Sequence, residues 1–188
     1  MTPGTAASPS RSEVARRLSD PEGDFRIFPR PEKIGYGSID LRLGSVFLTA
    51  ERSSLTEVAV DDIKRGAKLF RETRISSDGR FIMHPHQFVL ACTYEYICLP
   101  VDLVGLIQSR STFGRMGLIA ATAAFVGPGY KGCPTLELVN LGEVAIKLKP
   151  HEDFCQLVLF TSSESELPPP SRYQCMTRPV FARLPLPA

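Results

Sequence analysis

The sequence predicts an all-β domain, a barrel or sandwich, followed by an extended C-terminal arm. Three observations carry this. From residue 81 the chain runs as short apolar segments separated by Pro, Gly or Asn, and many short strands with turn signals between them are the pattern of β-barrels and sandwiches. "SIDLRLG" alternates, with Ile39, Leu41 and Leu43 on one side and Asp40 and Arg42 on the other, as a half-buried strand does. Beyond Phe160 the composition shifts to "SSESELPPPSRYQCMTRPVFARLPLPA", a proline-rich arm that gains order only by lying on something.

Taken in order, residues 1–10 read as a flexible lead-in, with no basic region followed by an apolar stretch and hence no secretory signal. Ser10-Arg11-Ser12-Glu13 fits a capping box that opens a short helix. Asp20-Pro21-Glu22-Gly23 ends it. "RIFPRPEKIGYG" is loop-like in its prolines and glycines, and "SIDLRLGSVFLT" follows as one strand. "DDIKRGAKLFRETRISSDGR" is poorly patterned and reads as loop with short strand pieces. The strands then come as "FIMH", "QFVLACTY", "YICLP", "LVGLIQS", "LIAATAAFV", "TLELVN", "VAIKLKP" and "FCQLVLFT". "SRSTFGRMG" interrupts them as a single helical turn. The β domain is placed at residues 11–161 and the arm at 162–188.

The bulk numbers exclude more than they assign. At 188 residues the chain suits one domain with a sizeable core. A net charge of +2 gives no reason to expect a nucleic-acid or membrane partner. No apolar run approaches the ~20 residues of a membrane span. The five cysteines are odd in number and form no CxxC pair, which suits buried free thiols in a reducing cytoplasm. His84 and His86 form "HPH", but no carboxylate or thiol lies at ligand spacing. A zinc deaminase needs H-x-E and C-x-x-C; neither occurs, so no zinc centre is expected.

Three segments could carry chemistry. In "TLELVN", Thr135, Glu137 and Val139 share a face with Cys133, while Leu136 and Leu138 point the other way. Glu137 would face a cleft or a subunit interface. A carboxylate held there finds a partner or shifts its pKa, and a catalytic base is often made this way; a structural ion pair or a plain exposed position is the bland alternative. "SRSTFGR" gathers the hydroxyls of Ser109, Ser111 and Thr112 with the guanidiniums of Arg110 and Arg115, chemistry that suits a phosphate chain or an ordinary helix cap. "VGPGYKG" is a tight turn where glycines permit close approach to a ligand and Tyr130 could pack on a sugar or base; a simple β-turn would look the same.

Together, "RSTFGRMGL", "TAAFVGPGYKGCPTLELVN" and "FCQLVLF" resemble successive motifs of the dCTP deaminase branch of the dUTPase-like superfamily. "SIDLRLG" and "FIMHPHQFVLACT" resemble its earlier motifs, and the likeness runs in order from about residue 27 to 160. The resemblance implies a distorted β-barrel or jelly roll and a cytoplasmic homotrimer with active sites between subunits. It also implies an arm closing over the nucleotide, magnesium accompanying the triphosphate, and no zinc. Glu137 matches the general base; Ser111 and Arg115 match positions that support the attacking water. Arg110 and Thr112 match triphosphate contacts. Thr135 and Leu136 fall where the strand backbone reads the pyrimidine edge, and Tyr130 lies where it could pack on the sugar. Gln156 and Tyr173 match further nucleotide contacts, and Arg172 stands where the family's tail usually has a lysine for the phosphates.

The departures from the family pattern are specific. Gly127-Pro128-Gly129 stands where the family reads Asp-Pro-Gly, and Met176 stands where its tail has glutamine. The leading expectation is hydrolytic deamination of dCTP to dUTP and ammonia. A deaminase for a modified or ribo-cytidine nucleotide and a catalytically impaired nucleotide-binding regulator remain open beside it.

Overall fold

A computed structural model describes residues 7–51, 57, 59, 68–121, 125–163, 166–169 and 171–183. Helix α1 (Arg11–Ser19) opens on Ser10, whose Oγ accepts the Glu13 amide at 3.2 Å. The reciprocal half of the capping box is not made: the Glu13 carboxylate turns to Arg16 instead. The helix buries Val14, and Arg17 ties it to the domain through two 2.8 Å bonds to Asp102. That guanidinium holds the Asp102 carboxyl below the usual carboxylate range.

The strands are β1 (Arg26–Phe28), β2 (Ser38–Arg42), β3 (Val46–Ala50), β4 (Phe70–Arg74), β5 (Phe81–Met83), β6 (Phe88–Cys92) and β7 (Tyr96–Cys98). They continue with β8 (Leu103–Ser109), β9 (Leu118–Ala121), β10 (Phe125–Val126), β11 (Lys131–Gly132), β12 (Thr135–Asn140), β13 (Ile146–Leu148) and β14 (Asp153–Thr161). One helical turn, α2 (Ser111–Arg115), stands between β8 and β9, as the sequence predicts. Two larger sheets run β10-β8-β14-β2 and β4-β3-β6-β12-β9, beside the smaller β1-β7-β11 and β13-β5. The fold is the expected all-β one, although these ladders do not join into a closed barrel.

The structure corrects several boundaries. The segment read as loop before residue 38 contains β1, which pairs antiparallel with β7 and buries Ile27 against Ile97. The single strand expected over 38–49 breaks at Gly44. The Gly44 amide donates to the Cys92 carbonyl at 2.8 Å, and a Cβ there would lie 2.8 Å from the same oxygen. β4 forms within the segment read as loop, of which residues 61–67 lie outside the described part. "LIAATAAFV" holds β9 and β10, and residues 122–124 between them lie outside the described part.

Alternation builds the core. Ile39, Leu41 and Leu43 from the β2 region, Leu136 and Leu138 from β12, and Leu157 and Leu159 from β14 are fully buried in one apolar cluster. All five cysteines are free. Burial raises Cys92 to about 12 and Cys133 to about 11, so these thiols stay protonated and unreactive near neutral pH. Among the described residues, no helix is long and apolar enough to cross a membrane.

One charged pair lies inside. Glu95 is fully buried and accepts from Arg42 Nε at 2.7 Å and from the Arg42 amide at 2.8 Å. Removing one partner of a buried pair leaves an uncompensated charge, so Arg42→Met should cost about 3 kcal/mol of stability. Urea denaturation measures this; a loss below ~1 kcal/mol would show that backbone donors alone satisfy Glu95.

Candidate functional site

β12 pairs with β6 over Thr135–Val139 and with β9 over Glu137–Asn140. With strands on both sides, its side chains have two faces to choose between. Leu136 and Leu138 take the core; Thr135, Glu137 and Val139 are half-buried on the other face. Glu137 there lines a cavity of about 460 Å³. Its walls are mostly apolar: Phe88 and Leu90 of β6, the 127–130 turn, and Met176, Val180 and Phe181 of the arm. No described residue hydrogen-bonds or ion-pairs with the Glu137 carboxylate. A half-buried acid on an apolar wall with no described partner is the kind of group that functional sites collect.

Tyr130 and Thr135 share this cavity with Glu137, and so does Cys133, which is largely buried in its wall. Burial pushes the Tyr130 phenol up, which keeps it protonated and able to donate. Leu136 offers only backbone, since its side chain is in the core.

The arm lies on its own protomer and roofs the cavity. Gln174 donates to the Gly129 carbonyl at 2.8 Å and accepts the Lys131 amide at 3.1 Å. The Cys133 amide donates to the Met176 carbonyl at 2.7 Å. Further on, the Val180 amide reaches Thr135 Oγ1 at 3.4 Å, and the Phe181 ring sits 4.8 Å from Phe70. Tyr173 lines the cavity, its hydroxyl accepting the Arg183 amide at 3.3 Å. Arg172 is exposed and donates to the Arg183 carbonyl at 2.9 Å.

The remaining expected residues gather elsewhere. Ser111, Thr112 and Arg115 lie exposed on α2, and among the described residues the Arg115 guanidinium has no partner. Arg110 precedes α2 and makes no side-chain cap bond. Its Nη1 donates to Asp40 Oδ2 at 2.9 Å, and Gln156 Nε2 donates to Asp40 Oδ1 at 2.7 Å. None of Arg110, Ser111, Thr112, Arg115, Gln156 or Arg172 is among the walls of the Glu137 cavity. One protomer thus carries two partial sites: an acid in an apolar cavity, and a basic, hydroxyl-bearing surface.

Sequence reasoning missed Asp40 and Gln174. The alternation of "SIDLRLG" placed Asp40 away from the core but gave no sign of its partners; Gln174 carried no signal at all. Among the described residues, no group of three or more His, Cys, Asp or Glu side chains is gathered as a metal site.

Comparison with known proteins agrees with this architecture. The family described as dCTP deaminase-like matches residues 9–162. A dCTP deaminase of Halorubrum lacusprofundi is 35% identical over 93% of this chain and 90% of its own length. A Methanothermobacter thermautotrophicus protein named dCTP deaminase, dUMP-forming, is 38% identical over 87% of each chain. The crystal structure of 2'-deoxycytidine 5'-triphosphate deaminase from Agrobacterium tumefaciens shares the fold with a TM-score of 0.63 at 17% identity, over 84% of this chain. This chain spans 50% of the length of that structure. By the extent of the family match and the identity to these relatives, the chain belongs to the dCTP deaminase-like family.

Proposed function

We propose that this protein deaminates dCTP to dUTP and ammonia without zinc, with Glu137 as the general base. The observation that carries this reading is the half-buried Glu137 carboxylate, unpartnered among the described residues on the wall of an apolar cavity. A water adds to C4 of cytosine as Glu137 takes its proton. The proton then passes to the amino group, which leaves as ammonia, and the proton of the hydroxyl left on C4 moves to N3 as the C4 carbonyl forms. Ser111 and Arg115 hold the water and balance the charge of Glu137. Arg110, Thr112, Gln156 and Arg172 grip the triphosphate, Tyr130 and Tyr173 pack on the nucleoside, and the Thr135–Leu136 backbone reads the base edge.

Magnesium would arrive with the triphosphate, bound by phosphate oxygens. The acids beside Arg110 do not form a protein cage for it, because Asp40 pairs with Arg110 and Asp153 with Lys33. A cytoplasmic setting suits the five free cysteines.

The assembly we propose is a homotrimer in which α2 of one subunit completes the Glu137 cavity of the next. The separation of the two partial sites supports it, as do the exposed apolar residues Met116, Ile119 and Leu141 near α2. Glu137→Gln should lower the deamination rate by ~10²–10⁴ while nucleotide binding persists. Mixing unfolded Glu137→Gln and Arg115→Ala chains and refolding them together should restore about one quarter of parental activity, the share of intact sites when each site draws on two subunits. No recovery would place both residues in one subunit's site.

Relatives named dCTP deaminase are 33–35% identical and those named dCTP deaminase, dUMP-forming, are 35–40% identical; against that tilt toward the second name, the residues of this chain argue for deamination alone. Release of pyrophosphate needs a water placed in line with the α-phosphate, and Gly127 on the cavity wall offers no carboxylate for that. Ammonia without matching pyrophosphate is therefore expected when both are followed with dCTP and magnesium; equal release would show that another group positions the water. The same Gly127 favours a second reading, a cytidine nucleotide with a different sugar. Gly127→Asp should sharpen selection for a 3′-hydroxyl, read as kcat/KM for dCTP against its 3′-deoxy analogue; an unchanged ratio would separate this wall from sugar recognition.

A further inference from the structure

We infer that Asp40 is a positioning residue whose carboxylate holds Arg110 and Gln156 as one preformed unit for the triphosphate; this rests on the deaminase reading above. Asp40 and Gln156 are direct cross-strand partners of β2 and β14, and Gln156 is also opposite Gln108 of β8. Cross-strand partners share a face, so Asp40 and Gln156 are held side by side on three hydrogen-bonded strands. Arg110 follows β8 immediately, and its amide donates to the Phe154 carbonyl of β14 at 3.2 Å. The backbone beneath all three side chains is therefore fixed by ladder bonds.

The carboxylate adds what the backbone cannot. Each of its oxygens takes one donor: Oδ1 from Gln156 and Oδ2 from Arg110. A carboxylate only accepts, so the Gln156 amide is oriented with nitrogen toward Asp40. One N–H and the carbonyl oxygen of Gln156 are left for a ligand. Arg110 spends only Nη1 on Asp40 and keeps the rest of its fork. The exposures fit an inner acid supporting an outer base, with the Asp40 side chain 14% exposed and that of Arg110 35%. Asp153, itself paired with Lys33, lies 3.6 Å from Arg110. With two acids and two bases the cluster is formally neutral. It would therefore recognise phosphate through donor geometry more than through net charge.

Asp40→Asn tests this. An amide has one acceptor oxygen, so with Arg110 kept on it Gln156 must flip to accept from the new NH₂, and the orientation that the carboxylate imposes on Gln156 is lost. KM for dCTP should rise about tenfold or more with kcat changed less than about threefold, and binding of inorganic tripolyphosphate, followed by calorimetry, should weaken in parallel. In an Arg110→Ala background the same change should add little. Asp40→Glu keeps the charge but shifts the oxygens; it should also raise KM, and it serves if the Asn variant does not fold. Unchanged KM and tripolyphosphate affinity in a folded variant would overturn the inference, as would tighter binding, which would make Asp40 merely a repelling charge. A fall in kcat alone would assign it a structural role. If the unaltered protein binds tripolyphosphate, and loses it with Asp40→Asn, yet deaminates no cytidine nucleotide, the positioning role stands and the deaminase reading fails. No binding of dCTP or tripolyphosphate by the unaltered protein would overturn both.

Discussion

The two-residue period of β12 is the constraint on which the site depends. With β6 on one edge and β9 on the other, the strand can vary only in which side chains face the core. Leu136 and Leu138 are fully buried, and that settles Glu137 on the opposite face. A one-residue slip would bury the carboxylate and expose both leucines, so the force that sets the register is hydrophobic burial of the neighbours. The acid is placed by the burial of side chains that face away from the cavity.

The cavity around Glu137 follows from the same geometry extended sideways. Leu90 is opposite Glu137 on β6, and Phe88 is opposite Val139. The arm adds Met176, Val180 and Phe181, anchored upstream by Gln174. An acid surrounded in this way is half-buried and has no described partner. A ligand that fills the cavity displaces the remaining solvent and so strengthens its own polar interaction with this acid.

Periodicity made the parts that obey it legible. Ile39, Leu41 and Leu43, and Leu136 with Leu138, could be assigned to the core from spacing alone, and the Ser10 cap from its residue types. What escaped was decided by contacts between distant segments. β1 sits among prolines and exists because β7 pairs with it. The break at Gly44 is imposed by the Cys92 carbonyl, some fifty residues away in sequence. Motif resemblance listed Glu137 and Arg110 together, yet the fold puts them in different places on one protomer. Asp40 was visible only as the polar half of an alternation.

The turn before β12 has an implication for how such a chain could change over generations. Gly127 lines the cavity, and a Cβ built there would meet only the Phe125 ring, at an ordinary 3.5 Å. Neither packing nor a left-handed backbone conformation requires glycine at this position. A glycine codon becomes an aspartate codon by a single base change, so an acidic side chain can appear on or vanish from this wall without remodelling the scaffold. Among the described residues of one protomer, nothing guards the position. Whichever residue occupies it is answerable to selection on the ligand alone, and lineages sharing this architecture are free to drift apart in what they recognise while remaining superimposable in backbone.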